Sequence, residues 1–309
     1  MTKQLFNQTV IAMVWDFDKT LLPGYMQEPL FVEYGVDERS FWSEVNALPE
    51  RYKQGGVEMM STEILYLNHI LDYVDCGRFD GLNNAKLKSL GSKLMFYSGI
   101  PELFDLIRQE IATDPTFSQH EITVEHYIVS TGLRQMILGS ALANHVDGVW
   151  GCELLEQGSG EEARLSRLGY VLDNTTKTRA LFEINKGTNK YPQIDVNSSM
   201  AESERRIPFD NMVYVADGPS DVPVFSLLNR NGGKTYAVYK PREQREFDQV
   251  NELREQKRVQ HFGEADYTKG SQTYMWLLGA VRDIARRIVS RRDRALGDAV
   301  GAPPQHLSD

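Results

Sequence analysis

The residues best able to do chemistry in this chain are acidic and stand at the ends of apolar runs. The stretch VIAMVWDFDKTL places Asp16, Asp18 and Thr20 directly after residues 10–15. Two carboxylates this close repel each other unless a cation intervenes or one of them holds a proton. A second acidic turn, MVYVADGPSDVPVFS, sets Asp217 and Asp221 around Gly218 after another apolar run. Gly218 permits a tight turn, and a helix starting near Asp221 would keep its carboxylate beside the strand end. Oxygen ligands from Asp16 and Asp217 suit Mg2+, a hard cation that takes few protein carboxylates and keeps several waters. Either turn alone also reads as an ordinary polar turn or helix cap, whereas both together are hard to dismiss.

Two more segments could serve an anion. Ser130, Thr131 and Gly132 follow residues 124–129 and could offer a hydroxyl and backbone N–H groups to a phosphoryl oxygen, or merely cap a helix. In DNTTKTRALFEI, Lys177 falls at a helix start, where a cation opposes the macrodipole and an anionic partner would explain it.

These residues need elements to position them. Residues 10–15, 124–129, 212–215 and 235–239 are short, rich in Val, Ile and Tyr and bounded by turn signals, as buried strands are. Helical patterns over 101–111, 133–143, 178–185 and 222–228 alternate with them, so the fold class is α/β, a parallel sheet with right-handed crossovers. Ligands of such sheets bind outside the carboxyl ends of the strands, where the acidic turns lie. Residues 22–96 break the alternation, because they hold no convincing strand and carry helical stretches at 29–34, 40–48 and 59–74. That segment is too long for a crossover and too apolar for a linker, and reads as a mostly helical inserted domain. The division is thus 1–21 with 97–309 as the core and 22–96 as the insertion.

Further along, residues 147–155 and 168–172 flank a turn at 157–160 and suggest a hairpin, and 188–207 read as a surface loop. Residues 244–260 are charged throughout and suit a solvated helix. Residues 275–289 carry apolar positions at helical spacing, followed by Arg291, Arg292 and Arg294; a docking helix with cations near its C-terminus suits this better than a membrane-surface helix. Residues 302–309 read as a frayed tail.

Composition narrows the function. Of 309 residues, 41% are hydrophobic and 25% charged, so a globular core is expected. A net charge of −9 gives non-specific nucleic-acid binding no driving force, and it requires any anionic substrate to find local positive charge or a cation. Cys76 and Cys152 lack the spacing of a zinc or redox pair, and the six histidines show no ligand spacing. The opening residues do not read as a signal peptide, and no apolar run is long enough to span a bilayer. A cytoplasmic protein without membrane or nucleic-acid partners is expected, with a homodimer left open.

The order DFDKT, then VST at a strand end, then Lys177, then DGPSD resembles the four signature motifs of the haloacid dehalogenase (HAD) superfamily, in its phosphatase branch. The resemblance implies a Rossmann-like three-layer core with a helical cap inserted after the first motif, and a small phosphorylated metabolite as substrate. It implies that Asp16 is a nucleophile forming an aspartyl-phosphate, and that Asp18 protonates the leaving oxygen and then activates water. Ser130, Thr131, Gly132 and Lys177 would hold the phosphoryl group. Mg2+ would be bound by Asp16, the main-chain carbonyl of Asp18, and Asp217, with Asp221 acting through water or orienting Lys177. An aspartate at position 18 favours an alkoxide leaving group over a halide, which needs no proton. The likeness is closest to phosphoserine phosphatase-like members, yet Tyr25 stands where those enzymes place a glutamate for the substrate's amino group, and Glu28 is three positions late. A phosphotransferase or phosphomutase of the same fold, or a catalytically silent binding protein, are the alternatives. Arg51, Tyr52, Lys53 and Arg78 in the insertion are candidate substrate contacts, or simply solvated surface residues.

Overall fold

The structure, a computed structural model, describes residues 6–300. Among these residues seven strands form one sheet: β1 (Val10–Trp15), β2 (Thr123–Leu133), β3 (Gly148–Gln157), β4 (Arg164–Tyr170), β5 (Met212–Ala216), β6 (Lys234–Tyr239) and β7 (His261–Glu264). Their order is β4-β3-β2-β1-β5-β6-β7. All pairs are parallel except β3 with β4. The chain steps from β1 to β2 on one side, then returns to lay β5 along the other side of β1. The C-terminal ends of β1 and β5 therefore flank a point where strand order reverses, the usual crevice for a ligand.

The helices are α1 (Glu28–Tyr34), α2 (Glu38–Gln54), α3 (Thr62–Asp75), α4 (Asn84–Gly91), α5 (Glu102–Ala112), α6 (Pro115–Gln119), α7 (Arg134–Gly139), α8 (Lys177–Lys186), α9 (Val222–Arg230), α10 (Gln244–Glu255) and α11 (Gln272–Val300). Right-handed crossovers that run in opposite directions from β1 place α5 on one face of the sheet and α9 with α10 on the other. Burial of β1 is complete over Ile11 to Trp15, as a central parallel strand covered on both faces requires. Trp15 donates its indole N–H to His126 Nδ1 at 3.1 Å, and the other ring nitrogen of His126 faces Phe104 O at 3.2 Å, so these buried polar atoms are satisfied.

Helices α1–α4 occupy the segment between β1 and α5, as the missing strand pattern there implied. Their starts are written in the sequence: Asp37, Ser61 and Asn83 each accept an N–H from the first turn of α2, α3 and α4. The segment is stitched to the β3–β4 hairpin, because Leu165 N–H donates to Leu82 O at 2.9 Å and the Asn84 side chain donates to Leu154 O at 3.0 Å. Its last helix lies backbone to backbone with α7. A Cβ on Gly91 would fall 2.0 Å from Met136 O, and one on Gly139 would fall 1.7 Å from Lys88 O.

Several expectations need correction. Ser130, Thr131 and Gly132 lie within β2, which continues irregularly past Val129, because Cys152 on β3 keeps the strand paired beyond that residue. The helix expected over 133–143 ends at Gly139. There Ser140 donates to Ile137 O and accepts from Leu142 N–H, opening a separate short turn. The solvated helix stops at Glu255 rather than 260, and HFGE forms the unexpected edge strand β7. Helix α4 and the early start of β4 were also not anticipated. The last helix docks as expected: Arg287 and Arg291 both bond to Asp210. No described helix is long and apolar enough to cross a membrane. The expected tail at 302–309 lies outside the described residues.

The glycine contacts predict opposite signs for one chemical change. Gly139→Ala should destabilise the protein by at least about 2 kcal/mol, since backbone must move. Gly279→Ala, mid-helix in α11 with nothing within 4 Å of the new methyl, should stabilise by up to about 1 kcal/mol. Urea unfolding of the two variants checks the pair.

Candidate active site

Asp16 continues the sheet past Trp15, its N–H donating to Val215 O at 2.9 Å, so its side chain is delivered at the reversal between β1 and β5. One carboxylate oxygen accepts from Lys177 Nζ at 2.7 Å, and the other accepts from the Thr20 hydroxyl at 3.1 Å. Lys177 gives a second N–H to Asp221 Oδ1, also at 2.7 Å. The lysine is 2% exposed and Asp221 fully buried. Burial alone would push the Lys177 ammonium toward deprotonation; Asp16 and Asp221 override it and hold its pKa above the ordinary lysine value.

The placement of Lys177 is local chemistry. Asp173 accepts the N–H groups of Thr175 and Thr176 and the Thr176 hydroxyl, satisfying donors at the start of α8 that have no intrahelical partner. Lys177 is the first residue of that helix. Asp221 is fixed on both oxygens, by the Tyr214 and Lys177 donors on one and the Ser220 hydroxyl on the other.

Carboxylate oxygens of Asp16, Asp217 and Asp221 lie within 4.8 Å of one another, and these three residues could hold a metal ion. Burial, then Asp16 and Asp221, push the Asp217 carboxyl well above the usual carboxylate range. Burial raises Asp16 to about 6, against the opposing pull of Lys177. One ammonium among three carboxylates, two buried and one half-buried, leaves negative charge uncompensated, and hard oxygen donors around such an excess suit a divalent cation. Asp18 adds no carboxylate to this cluster. Its Oδ1 accepts from Met26 N–H at 2.8 Å, and burial followed by Asp16 pushes it up to about 8.

Asp16, Asp18, Ser130, Thr131, Gly132, Lys177 and Asp217 line one cavity of about 280 Å³. The structure thus brings together every site residue expected from the sequence, with Asp221 immediately behind Lys177. Ser130 Oγ accepts Gly132 N–H at 3.0 Å, which leaves the hydroxyl proton free. Gly132 allows a close approach, since a Cβ there would lie 2.1 Å from the end of Met26. The insertion candidates fare differently. Arg51, Tyr52 and Lys53 are exposed on α2, and Arg78 bonds to Tyr73 and Glu44; none lines the cavity. Tyr25 lines it and Glu28 does not.

Sequence reasoning missed the supporting residues Asp173, Tyr214 and Ser220. Asp173 carried a readable signal, an Asp followed by two threonines before a helix. Tyr214 could not be assigned, because a tyrosine inside a buried strand reads as core.

No family model matches the sequence. An uncharacterized protein of Borreliella burgdorferi is 41% identical over 286 residues, which cover 88% of this chain and 96% of that one. The two chains belong to one family. Among solved structures, a HAD-family hydrolase from Salmonella enterica serovar Typhi superposes with a TM-score of 0.51 at 14% identity, covering 84% of this chain and 68% of the other. A "probable phosphoserine phosphatase" from Vibrio cholerae gives 0.50 at 14% identity, covering 92% and 68%. This is the fold of the HAD superfamily. The site lies at the C-terminal ends of β1, β2 and β5, with residues of α2 and α3 beside it.

The shared ammonium sets a stability prediction for this chain. Lys177→Met strands buried carboxylates and should cost about 3–5 kcal/mol in urea unfolding at pH 7, part of it recovered when Asp221→Asn is added. A loss below about 1 kcal/mol would show the ion pairs to be dispensable.

Proposed function

We propose that the protein is a Mg2+-dependent phosphomonoester hydrolase of the HAD phosphatase type, acting in the cytoplasm on a small phosphorylated metabolite. The observation that carries this reading is the Asp16 carboxylate, held by Lys177 and Thr20 in a cavity that also contains Asp18 and the Ser130 hydroxyl. A nucleophile, an acid–base group and two phosphate-binding donors then share one small space.

Asp16 attacks phosphorus and forms an aspartyl-phosphate while the bond to the leaving oxygen breaks. Asp18 supplies the proton that oxygen needs, then accepts one from the water that attacks the aspartyl-phosphate, freeing phosphate and restoring Asp16. Lys177 offsets charge on the transferring group, and the Ser130 hydroxyl, its own oxygen already engaged by Gly132, donates to a phosphoryl oxygen. The backbone of Thr131 and Gly132 forms the floor. Asp16, Asp217 and the Asp18 main-chain carbonyl would hold Mg2+, with Asp221 behind, and the ion would supply further neutralisation of phosphoryl charge. Helices α1–α4, within residues 22–96, act as a cap that limits substrate size and excludes water over a core formed by 1–21 and 97–309.

p-Nitrophenyl phosphate with Mg2+ tests the chemistry. Asp16→Asn should abolish turnover, and Asp18→Asn should lower it by about 10²–10⁴-fold. Wild-type turnover by Asp16→Asn would remove Asp16 from its role.

Metal binding has its own readout. Saturating Mg2+ should raise the thermal midpoint of the wild type, a stabilisation of about 2.7 kcal/mol at a hundredfold excess over Kd, and Asp217→Asn should lose most of that rise. An equal rise in both proteins would place the ion elsewhere.

A further inference from the structure

Beyond the phosphoryl-handling residues, the cavity is lined by Tyr25, Gln27, Trp42, Thr62, Glu63 and Tyr66, from the turn after β1 and from α2 and α3. Three features of this wall have no use within the protein. Gln27 is 2% exposed, yet its Oε1 has no hydrogen-bond partner. An amide oxygen buried in this way costs about 1–3 kcal/mol unless something donates to it. The Trp42 indole N–H is likewise buried and unpartnered. Glu63 accepts only from the Ser61 hydroxyl, at 2.8 Å, and makes no ion pair among the described residues.

The aromatic members form a continuous wall. Tyr25 and Trp42 have ring centroids 5.6 Å apart, inclined at 44°, and Trp42 and Tyr66 lie 5.8 Å apart at 53°. Rings at these separations are already in contact, so they leave no parallel slot into which a nucleobase could slide. What they offer is a concave aromatic surface beside a carboxylate, an arrangement that attracts a compact cation. Tyr66 keeps its ring in place by donating its hydroxyl to Thr131 O at 2.7 Å. The Lys19 ammonium sits 4.7 Å over the Tyr25 ring, and among the described residues no cation of the protein sits over Trp42 or Tyr66. The charged groups lining the cavity are four carboxylates, Asp16, Asp18, Glu63 and Asp217, against two ammoniums, Lys19 and Lys177. Mg2+ at Asp16 and Asp217 would offset that two-charge excess, so the pull on a cationic leaving group comes from Glu63, the one carboxylate of this wall, which neither lysine pairs with among the described residues.

We propose that this wall is the leaving-group subsite and that it selects a compact alcohol bearing a protonated primary amine. Glu63 and the faces of Trp42 and Tyr66 take the ammonium charge, and Gln27 Oε1 accepts one of its N–H groups. The substrate class is accordingly the short aminoalkyl phosphates. This assignment rests on the phosphatase reading and extends it, and it places the carboxylate that meets the ammonium on α3.

Calorimetric titration with two non-hydrolysable probes, 2-aminoethylphosphonate and n-propylphosphonate, tests it on the Mg2+-loaded protein. The two are nearly the same shape and differ in the ammonium. The amine probe should bind about tenfold tighter or more. Glu63→Gln should bring the ratio of the two affinities close to one, and Gln27→Leu should lower it. Equal affinities in the wild type, binding of neither probe, a ratio unchanged in Glu63→Gln, or tighter binding of a nucleoside monophosphate would each overturn the proposal. Turnover of p-nitrophenyl phosphate by the same preparation separates the two readings. Turnover with no amine preference sinks the subsite alone, whereas amine-selective binding without any turnover sinks the phosphatase reading and keeps the subsite.

Discussion

The rest of the structure depends on the Lys177 ammonium, buried between Asp16 and Asp221. A lysine this deep survives only if anionic partners make good its lost hydration, and each carboxylate in turn needs the lysine. The three residues come from the end of β1, the start of α8 and the start of α9, so satisfying them forces those termini together. Around them lies a shell of single-purpose contacts. Thr20 takes the second oxygen of Asp16, Tyr214 and Ser220 hold Asp221, and Asp173 sets where α8 begins. Removing the charge at the centre would leave Asp16 and Asp221 buried without their shared cation, held only by these neutral hydroxyls.

The fold supplies the location and the insertion supplies the limits. Reversal of strand order at β1 brings two acidic turns, far apart in sequence, to neighbouring strand ends. Residues of α2, α3 and the turn after β1 line the same cavity. The inserted helices are no loose appendage, because the Leu82 and Asn84 contacts join them to the β3–β4 hairpin and the glycine pair Gly91 and Gly139 lets α4 and α7 meet without side chains between them. Residues of these helices and of the strand ends line one cavity of about 280 Å³.

How much of this could be read from the chain alone depended on the range of the interactions. Asp16, Asp18, Asp217 and Asp221 were legible because acidic residues directly after β-rich apolar runs are a local pattern with one geometric consequence. Lys177 announced itself by standing at a helix N-terminus, against the macrodipole. Ser130 to Gly132 line the cavity, but the chain alone read the strand as ending before them, since only pairing with β3 reveals that it continues. The edge strand HFGE lacks a hydrophobic pattern altogether and exists because β6 offers it an open edge. Gln27, Trp42 and Glu63 were invisible for a related reason. Nothing in their neighbours marks them, and their meaning lies in which donors and acceptors the folded chain leaves without partners. Conversely, the basic residues of the insertion drew notice by type, and the folded chain leaves them on the surface or paired elsewhere.

A shared fold does not by itself establish an activity, and at 14% identity the solved HAD structures speak for architecture only. The central claim, that Asp16 carries the phosphoryl group during turnover, can be put to the protein itself. Enzyme turning over an aryl phosphate with Mg2+ would be quenched in acid within a single turnover, treated with borohydride to reduce any acyl phosphate, and mapped by peptide mass spectrometry. The account predicts homoserine at position 16 and nowhere else, dependent on substrate. Reduction at another carboxylate, or phosphate release with no trapped acyl phosphate at any time point, would contradict it.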